Sequence, residues 1–257
     1  MDEFRQDLRA GEPAVGNWVS IGHPAVAEIA GSVGADFVTI DTEHAAVGIE
    51  TVETLVRAVD AADGESTPVV RVPSSDPVRI KRVLDTGVGG IMVPRVDSAA
   101  EAEEVVAATK YPPGGIRGTA AGRAVDYGQS FAEYLERADD SIARILQVET
   151  ENAVAEAGDI AAVDGVDALF VGPADLSAAL DVHLDYDDEG FRSAVRSVTA
   201  AADDRDTPVG VFVTDPDRVE DWLSLGFSFA IVGFDAKFLV EGNRRLQSAF
   251  RGAVEGE

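Results

Sequence analysis

The chain has 257 residues, 46% of them hydrophobic, enough for one large core and inconsistent with global disorder. Its 47 acidic residues against 21 lysines and arginines give a net charge of −26, which argues against any surface that grips nucleic acid phosphates. It has no cysteine, hence no disulfide, thiolate metal site or cysteine nucleophile, and no apolar run approaches the ~18 residues of a membrane span.

Met1-Asp2-Glu3-Phe4-Arg5 lacks a basic and then apolar signal, so a cytoplasmic protein is expected. Residues 3–10 read as a short leading helix within 1–13. Strand-like apolar runs follow at 15–21, 37–41, 68–72, 90–96, 143–149, 168–172, 208–213 and 229–233. Between them, helical spacing of apolar residues covers 49–62, 77–86, 98–109, 189–202 and 216–225, and a C-terminal helix covers 236–251. Asp76-Pro77 and Asp215-Pro216 are helix starts, a capping acid followed by proline. Eight strand–helix units predict a single α/β domain, a closed (β/α)8 TIM barrel over 1–257. One irregular segment, 111–130, follows a helix instead of a strand, which places its start at the rim away from the strand C-termini.

The acidic residues come in scattered groups such as Asp139-Asp140, Asp187-Asp188-Glu189 and Asp203-Asp204. This pattern predicts a solvated, salt-adapted (halophilic) surface, since the Debye length is only ~3 Å at ~1 M salt.

Candidate chemistry gathers at strand C-termini, where barrels place their sites. Gln147 and Glu149 point to one side of their strand, and Asp175 lies just beyond the next in Gly172-Pro173-Ala174-Asp175. Two carboxylates so placed form an oxygen site for a hard divalent cation. Asp41-Thr42-Glu43-His44 ends the second strand and Arg71 the third. The plainer alternative is a structural ring of ion pairs beneath the loops. His23, at the first strand's end, is either a site residue or a turn residue, and His183 reads as solvated. The only lysines, Lys81, Lys110 and Lys237, fall outside strand positions, which favours metal-assisted carbonyl chemistry over a Schiff base.

Asp41-Thr42-Glu43-His44-Ala45, Pro68-Val69-Val70-Arg71-Val72, the run from Ile80 to Gly87, the run from Lys110 to Gly118, Gln147-Val148-Glu149-Thr150 and Gly172-Pro173-Ala174-Asp175-Leu176-Ser177 occur in one order. Together they resemble the HpcH/HpaI class II pyruvate aldolases of the phosphoenolpyruvate/pyruvate barrel superfamily. The resemblance implies reversible aldol cleavage of a 4-hydroxy-2-oxo acid, such as 4-hydroxy-2-oxoheptanedioate or a 2-keto-3-deoxy sugar acid, to pyruvate and an aldehyde. It implies Glu149 and Asp175 as ligands of Mg, Mn or Co, with Gln147, Ala174 and Asp175 binding substrate. Arg71 would stabilise the enolate oxygen, and His44 would act as general base through a water, oriented by Asp85. It also implies a homo-oligomer, a hexamer built as a trimer of dimers, with the last helix open to exchange between subunits. The competing expectations are an acyl-CoA ester lyase on a related barrel and a catalytically inactive binding barrel. A phosphosugar isomerase is disfavoured, because no glycine-rich phosphate loop follows the seventh or eighth strand.

Overall fold

Eight near-continuous apolar runs become eight parallel strands, each hydrogen-bonded to the next, and the first closes on the last. The computed structural model describes residues 2–255. Its strands are β1 (Ala14–Val19), β2 (Phe37–Asp41), β3 (Thr67–Arg71), β4 (Gly90–Val93), β5 (Ala143–Val148), β6 (Ala168–Val171), β7 (Val209–Val213) and β8 (Phe229–Val232). The helices are α1 (Asp2–Arg9), α2 (Pro24–Ser32), α3 (Ile49–Ala61), α4 (Pro77–Leu84), α5 (Ala99–Thr109) and α6 (Phe131–Ser141). They continue as α7 (Glu151–Ala155), α8 (Ala157–Ala161), α9 (Pro173–Ala179), α10 (Glu189–Asp203), α11 (Val219–Ser224) and α12 (Asp235–Glu255). The expected (β/α)8 barrel is the fold observed.

Strand alternation divides the core into two layers. Outward side chains such as Val38, Ile40, Val70 and Leu169 pack under the helices. Inward ones, including Phe37, Val69, Met92, Ile145, Phe170 and Phe229, fill the barrel. Two inward glycines make room for rings. A Cβ on Gly16 would lie 2.3 Å from the Phe37 ring, and one on Gly210 would lie 2.3 Å from that of Phe229. Phe4 and Leu8 of α1 join this inner layer at the N-terminal end of the barrel, with Phe4 and Phe37 ring centroids 5.2 Å apart.

A buried carboxylate holds that helix in place. Asp167, one residue before β6, accepts hydrogen bonds from Arg5 Nε at 3.0 Å, Arg9 Nη1 at 3.1 Å and the Arg144 amide at 2.9 Å.

The structure departs from the expected elements in local ways. The strand expected over 90–96 ends at Val93, because Pro94 has no N–H to donate and Arg95 turns to a positive φ of 53°. The strand expected over 15–21 ends at Val19 and the one over 143–149 at Val148. Helices α2, α6, α7, α8 and α9 were not anticipated; several are too short to show an apolar period. The segment 111–130 stays at the N-terminal rim: the Ala124 amide donates to the Asp85 carbonyl and Arg123 Nη1 to the Thr86 carbonyl, at the C-terminal end of α4. Among the described residues, no helix is long and apolar enough to cross a membrane.

Candidate active site

A cleft of about 410 Å³ opens at the C-terminal ends of the strands, and it divides into two arcs. The polar arc is carried by β2, β3, β5 and β6. At the end of β2 the buried Asp41 accepts from the amides of Glu43 (3.0 Å) and His44 (3.4 Å), which folds the chain sharply over the strand. The same carboxylate takes Arg71 Nε and Nη2, each at 3.0 Å, while Arg71 Nη1 reaches Glu43 Oε2 at 2.9 Å. The guanidinium lies 4.6 Å from the centroid of the Trp18 ring, a cation–π contact that fixes its plane. One N–H on each terminal nitrogen stays available, so Arg71 is a rigid donor at the floor of the mouth.

On β5 and just after it, Gln147 and Glu149 are both buried, and Gln147 Nε2 donates to Glu149 Oε1 at 2.8 Å. Gln147 Oε1 is buried without a hydrogen-bond partner among the described residues, an acceptor with nothing to accept. Gly172, closing β6, lets Glu149 lie against the backbone: a Cβ there would be 2.7 Å from Glu149 Oε1. Beyond it, Ala174 and Asp175 occupy the first turn of α9 and are exposed to the cleft, where helical amides have no intrahelical acceptor. Burial pushes the Glu149 carboxyl up to about 7, the negative charges of Asp175 and Glu43 push the same way, and Arg71 opposes them. Burial also raises Glu43, against the pull of Arg71.

This donor set fits a hard divalent cation. Glu149 is a buried carboxylate short of positive charge, Asp175 is a second carboxylate close enough to repel it, and the Gln147 oxygen is unpaired. No third His, Asp or Glu joins them in a ready-made cage among the described residues. Two protein carboxylates leave coordination positions for substrate oxygens, the arrangement magnesium-like ions favour.

The aromatic arc is carried by β7, β8 and β1 and the loop before α10. Trp18, Phe212 and Phe234 form one ring group there, Tyr186 and Trp222, on α11, form another, and Arg218 lies against the second. Sequence reasoning did not identify this arc. Phe212 and Trp18 read there as ordinary strand apolars, and Tyr186 sits in an acidic loop. The one available signal was alternation: Trp18 and Phe212 fall on inward-facing strand positions near the C-terminal ends.

The structure brings His44, Arg71, Gln147, Glu149, Ala174 and Asp175 to one cleft. It does not bring Asp85 there. Asp85 caps the C-terminal end of α4, at the N-terminal rim, and its Oδ1 accepts from Arg117 Nη2 at 3.1 Å. His44 is exposed, with Nε2 4.0 Å from Glu43 Oε2. His23 is a helix cap, its Nδ1 accepting from the Ala25 amide at 3.2 Å, and it does not line the cleft. No lysine lines it among the described residues.

Known proteins carry this fold and length. The sequence pattern of the HpcH/HpaI aldolase/citrate lyase family matches residues 14–242. A hydroxypyruvate/pyruvate aldolase of Pseudomonas aeruginosa is 35% identical over 255 residues, 99% of this chain and 94% of that one. A 4-hydroxy-2-oxo-heptane-1,7-dioate aldolase of Salmonella arizonae is 35% identical over 249 residues, 96% of this chain and 94% of its own. The crystal structure of an HpcH/HpaI aldolase/citrate lyase family protein from Burkholderia cenocepacia superposes with a TM-score of 0.94 at 35% identity, covering 98% of this chain and all of that one. A family match over most of the length, on a barrel whose mouth gathers the residues of its motifs, settles membership: the chain belongs to the HpcH/HpaI aldolase/citrate lyase family.

Proposed function

We propose that the protein is a divalent-metal-dependent aldolase that reversibly cleaves a 4-hydroxy-2-oxo acid to pyruvate and an aldehyde. The observation that carries this reading is Glu149, a buried carboxylate that lines one cleft with Asp175, feels its charge and has no salt bridge among the described residues. The names of its 35%-identical relatives point the same way. Glu149 and Asp175 would hold Mg, Mn or Co, which supplies Lewis acidity toward the oxygens of a 2-oxo acid. The Gln147 amide and the first-turn amides of Ala174 and Asp175 position pyruvate. His44, acting through a water, removes a proton from pyruvate C3, and Arg71 presents its remaining N–H groups where negative charge develops on the enolate oxygen. C3 then bonds to the aldehyde carbon, whose oxygen takes up a proton; cleavage is the reverse.

A His44–Asp85 pair would join two subunits, because one chain holds the two residues at opposite rims. The proposed homo-oligomer, a hexamer built as a trimer of dimers, has a surface to assemble through. On α12, Phe238, Leu239, Val240, Leu246, Phe250 and Val254 are 46% to 74% exposed, an apolar face suited to docking on or exchanging with a second copy. An acyl-CoA ester lyase is less well supported: the only cations lining the cleft among the described residues are Arg71 and Arg218, both already engaged by carboxylates.

The test is exchange of pyruvate methyl protons in heavy water, which reads enolate formation without an aldehyde. Chelation should abolish exchange and added Mg, Mn or Co restore it. Borohydride with pyruvate should leave the protein mass unchanged. A pyruvyl adduct on Lys81, Lys110 or Lys237 would overturn the assignment.

A further inference from the structure

We infer that the acceptor half of the cleft selects an uncharged aldehyde with a flat or apolar body and turns away semialdehydes bearing a second carboxylate. The inference rests on the aldolase reading and deepens it. With pyruvate on the polar arc, the aldehyde must approach over the aromatic arc. There Trp18 and Phe212 meet edge to face at 5.3 Å and 65°, and Tyr186 and Trp222 at 5.5 Å and 61°. Two such ring pairs offer apolar walls to a flat substrate.

The charges tell more. A substrate carboxylate taken into this half needs an available cation, since an unpaired buried charge is strongly disfavoured. Arg71 belongs to Asp41 and Glu43 on the other arc. Among the described residues of one chain that line the cleft, Arg218 is the remaining cation, and two carboxylates hold it. Its Nη2 meets Asp187 Oδ1 at 2.7 Å and Asp221 Oδ2 at 3.3 Å, and its Nη1 donates to Asp187 Oδ2 at 3.4 Å. The guanidinium is also stacked near Tyr186 and Trp222, 5.7 and 5.9 Å from the ring centroids. Asp221 is shared with Arg192, which donates to it twice, at 2.9 and 2.8 Å, but does not line the cleft. The exposed Asp215 adds a further negative charge to the lining. A second carboxylate on the aldehyde would meet acids and an occupied arginine.

Matched aldehydes test this on the full-length protein with pyruvate and Mn. Benzaldehyde is compared with 4-carboxybenzaldehyde, and butanal with 4-oxobutanoate, by kcat/KM. The uncharged member of each pair should lead by at least about tenfold, since burial without a partner group commonly costs more than one factor of ten. Asp187→Asn, on an exposed loop, loosens Arg218 and should raise the charged-to-uncharged ratio several-fold. Tyr186→Ala should lower kcat/KM for benzaldehyde mainly through KM. Arg218→Ala should weaken the charged aldehydes no more than the uncharged ones. Equal or better use of charged aldehydes by the unaltered protein, an Asp187→Asn ratio that does not move, or a selective loss of charged substrates in Arg218→Ala overturns the inference. If pyruvate exchange still proceeds, the aldolase reading stands; if exchange fails with every metal, both fall.

Discussion

Asp167 and Glu149 are both buried carboxylates on the barrel, 1% and 5% exposed, and they sit at opposite ends of it. Asp167 is surrounded by donors: two arginine side chains and a backbone amide bond to it, and Arg144 Nη1 stands 3.8 Å away. Glu149 has no salt bridge among the described residues: Gln147 donates to it and the Arg95 backbone and Arg71 favour its charge, but burial first, and then the charges of Asp175 and Glu43, raise it to about 7. A charge that is fully matched within the chain serves the fold. A charge left unmatched by the chain's own residues is waiting for something the chain does not supply.

The largest expected effect asks whether the two ends cooperate across subunits. His44→Ala should lower pyruvate proton exchange by ~10²–10⁴-fold, the usual share of general acid–base catalysis. If Asp85 serves a partner's His44, mixing dissociated His44→Ala and Asp85→Ala subunits and reassembling them should restore exchange above the average of the two parents. A mixture that stays at that average would show that the ends do not meet between subunits.

At the matched end, Asp167→Ala should destabilise the protein by about 3–5 kcal/mol, because it leaves Arg5 and Arg144 as buried charges without their partner. Urea unfolding in molar KCl reads this directly; a change within about 1 kcal/mol would mean that the cluster is replaceable by water.

At the unmatched end the sign reverses. The folded Glu149 binds its proton up to about pH 7, whereas the unfolded one releases it near its ordinary value of 4.5. Between those values the folded state holds more protons, so rising pH erodes the stability of the metal-free protein. Metal-free Glu149→Gln should therefore equal the unaltered protein at about pH 4 and below, draw ahead as the pH rises past 4.5, and exceed it by up to about 3 kcal/mol at pH 8. It should also lose metal binding by calorimetry. Equal stability of the two at pH 8 would mean that Glu149 is matched after all.

The architecture was legible because β2 to β6 are buried throughout and the other three strands largely apolar, so all eight read as near-continuous apolar runs, and Gln147, Glu149 and Arg71 stood out because polar side chains interrupt them. What was not legible depends on meetings between distant segments. Tyr186, Trp222 and Arg218 acquire a role only when β7 and the loop before α10 close on the same mouth. The expected pairing of His44 with Asp85 carried no rim with it. A strand end and a helix end look alike in sequence, yet in this barrel they face opposite ways. The short helices α7 and α8 escaped because five residues cannot display a period of 3.6.

The smallest expected effect concerns the surface. With a net charge of −26, the melting temperature should rise as KCl increases from low to molar concentration. A flat profile would remove the salt-adapted reading without touching the contrast between the two ends.

The α1 helix joins residues that lie far apart along the chain. Arg5 is 162 positions from Asp167, and Phe4 packs into an inner layer that reaches to β8. Contacts of that span repay their loop-closure entropy only after the intervening strands are in place. On this argument the helix is expected to dock after the folding transition state, late in the closure of the barrel. Interactions formed so late act on the reverse rate. Substitutions at Arg5, Arg9 or Asp167 are expected to speed unfolding and leave the refolding rate nearly unchanged, so the contribution of this helix is to how long the barrel lasts rather than to how fast it forms.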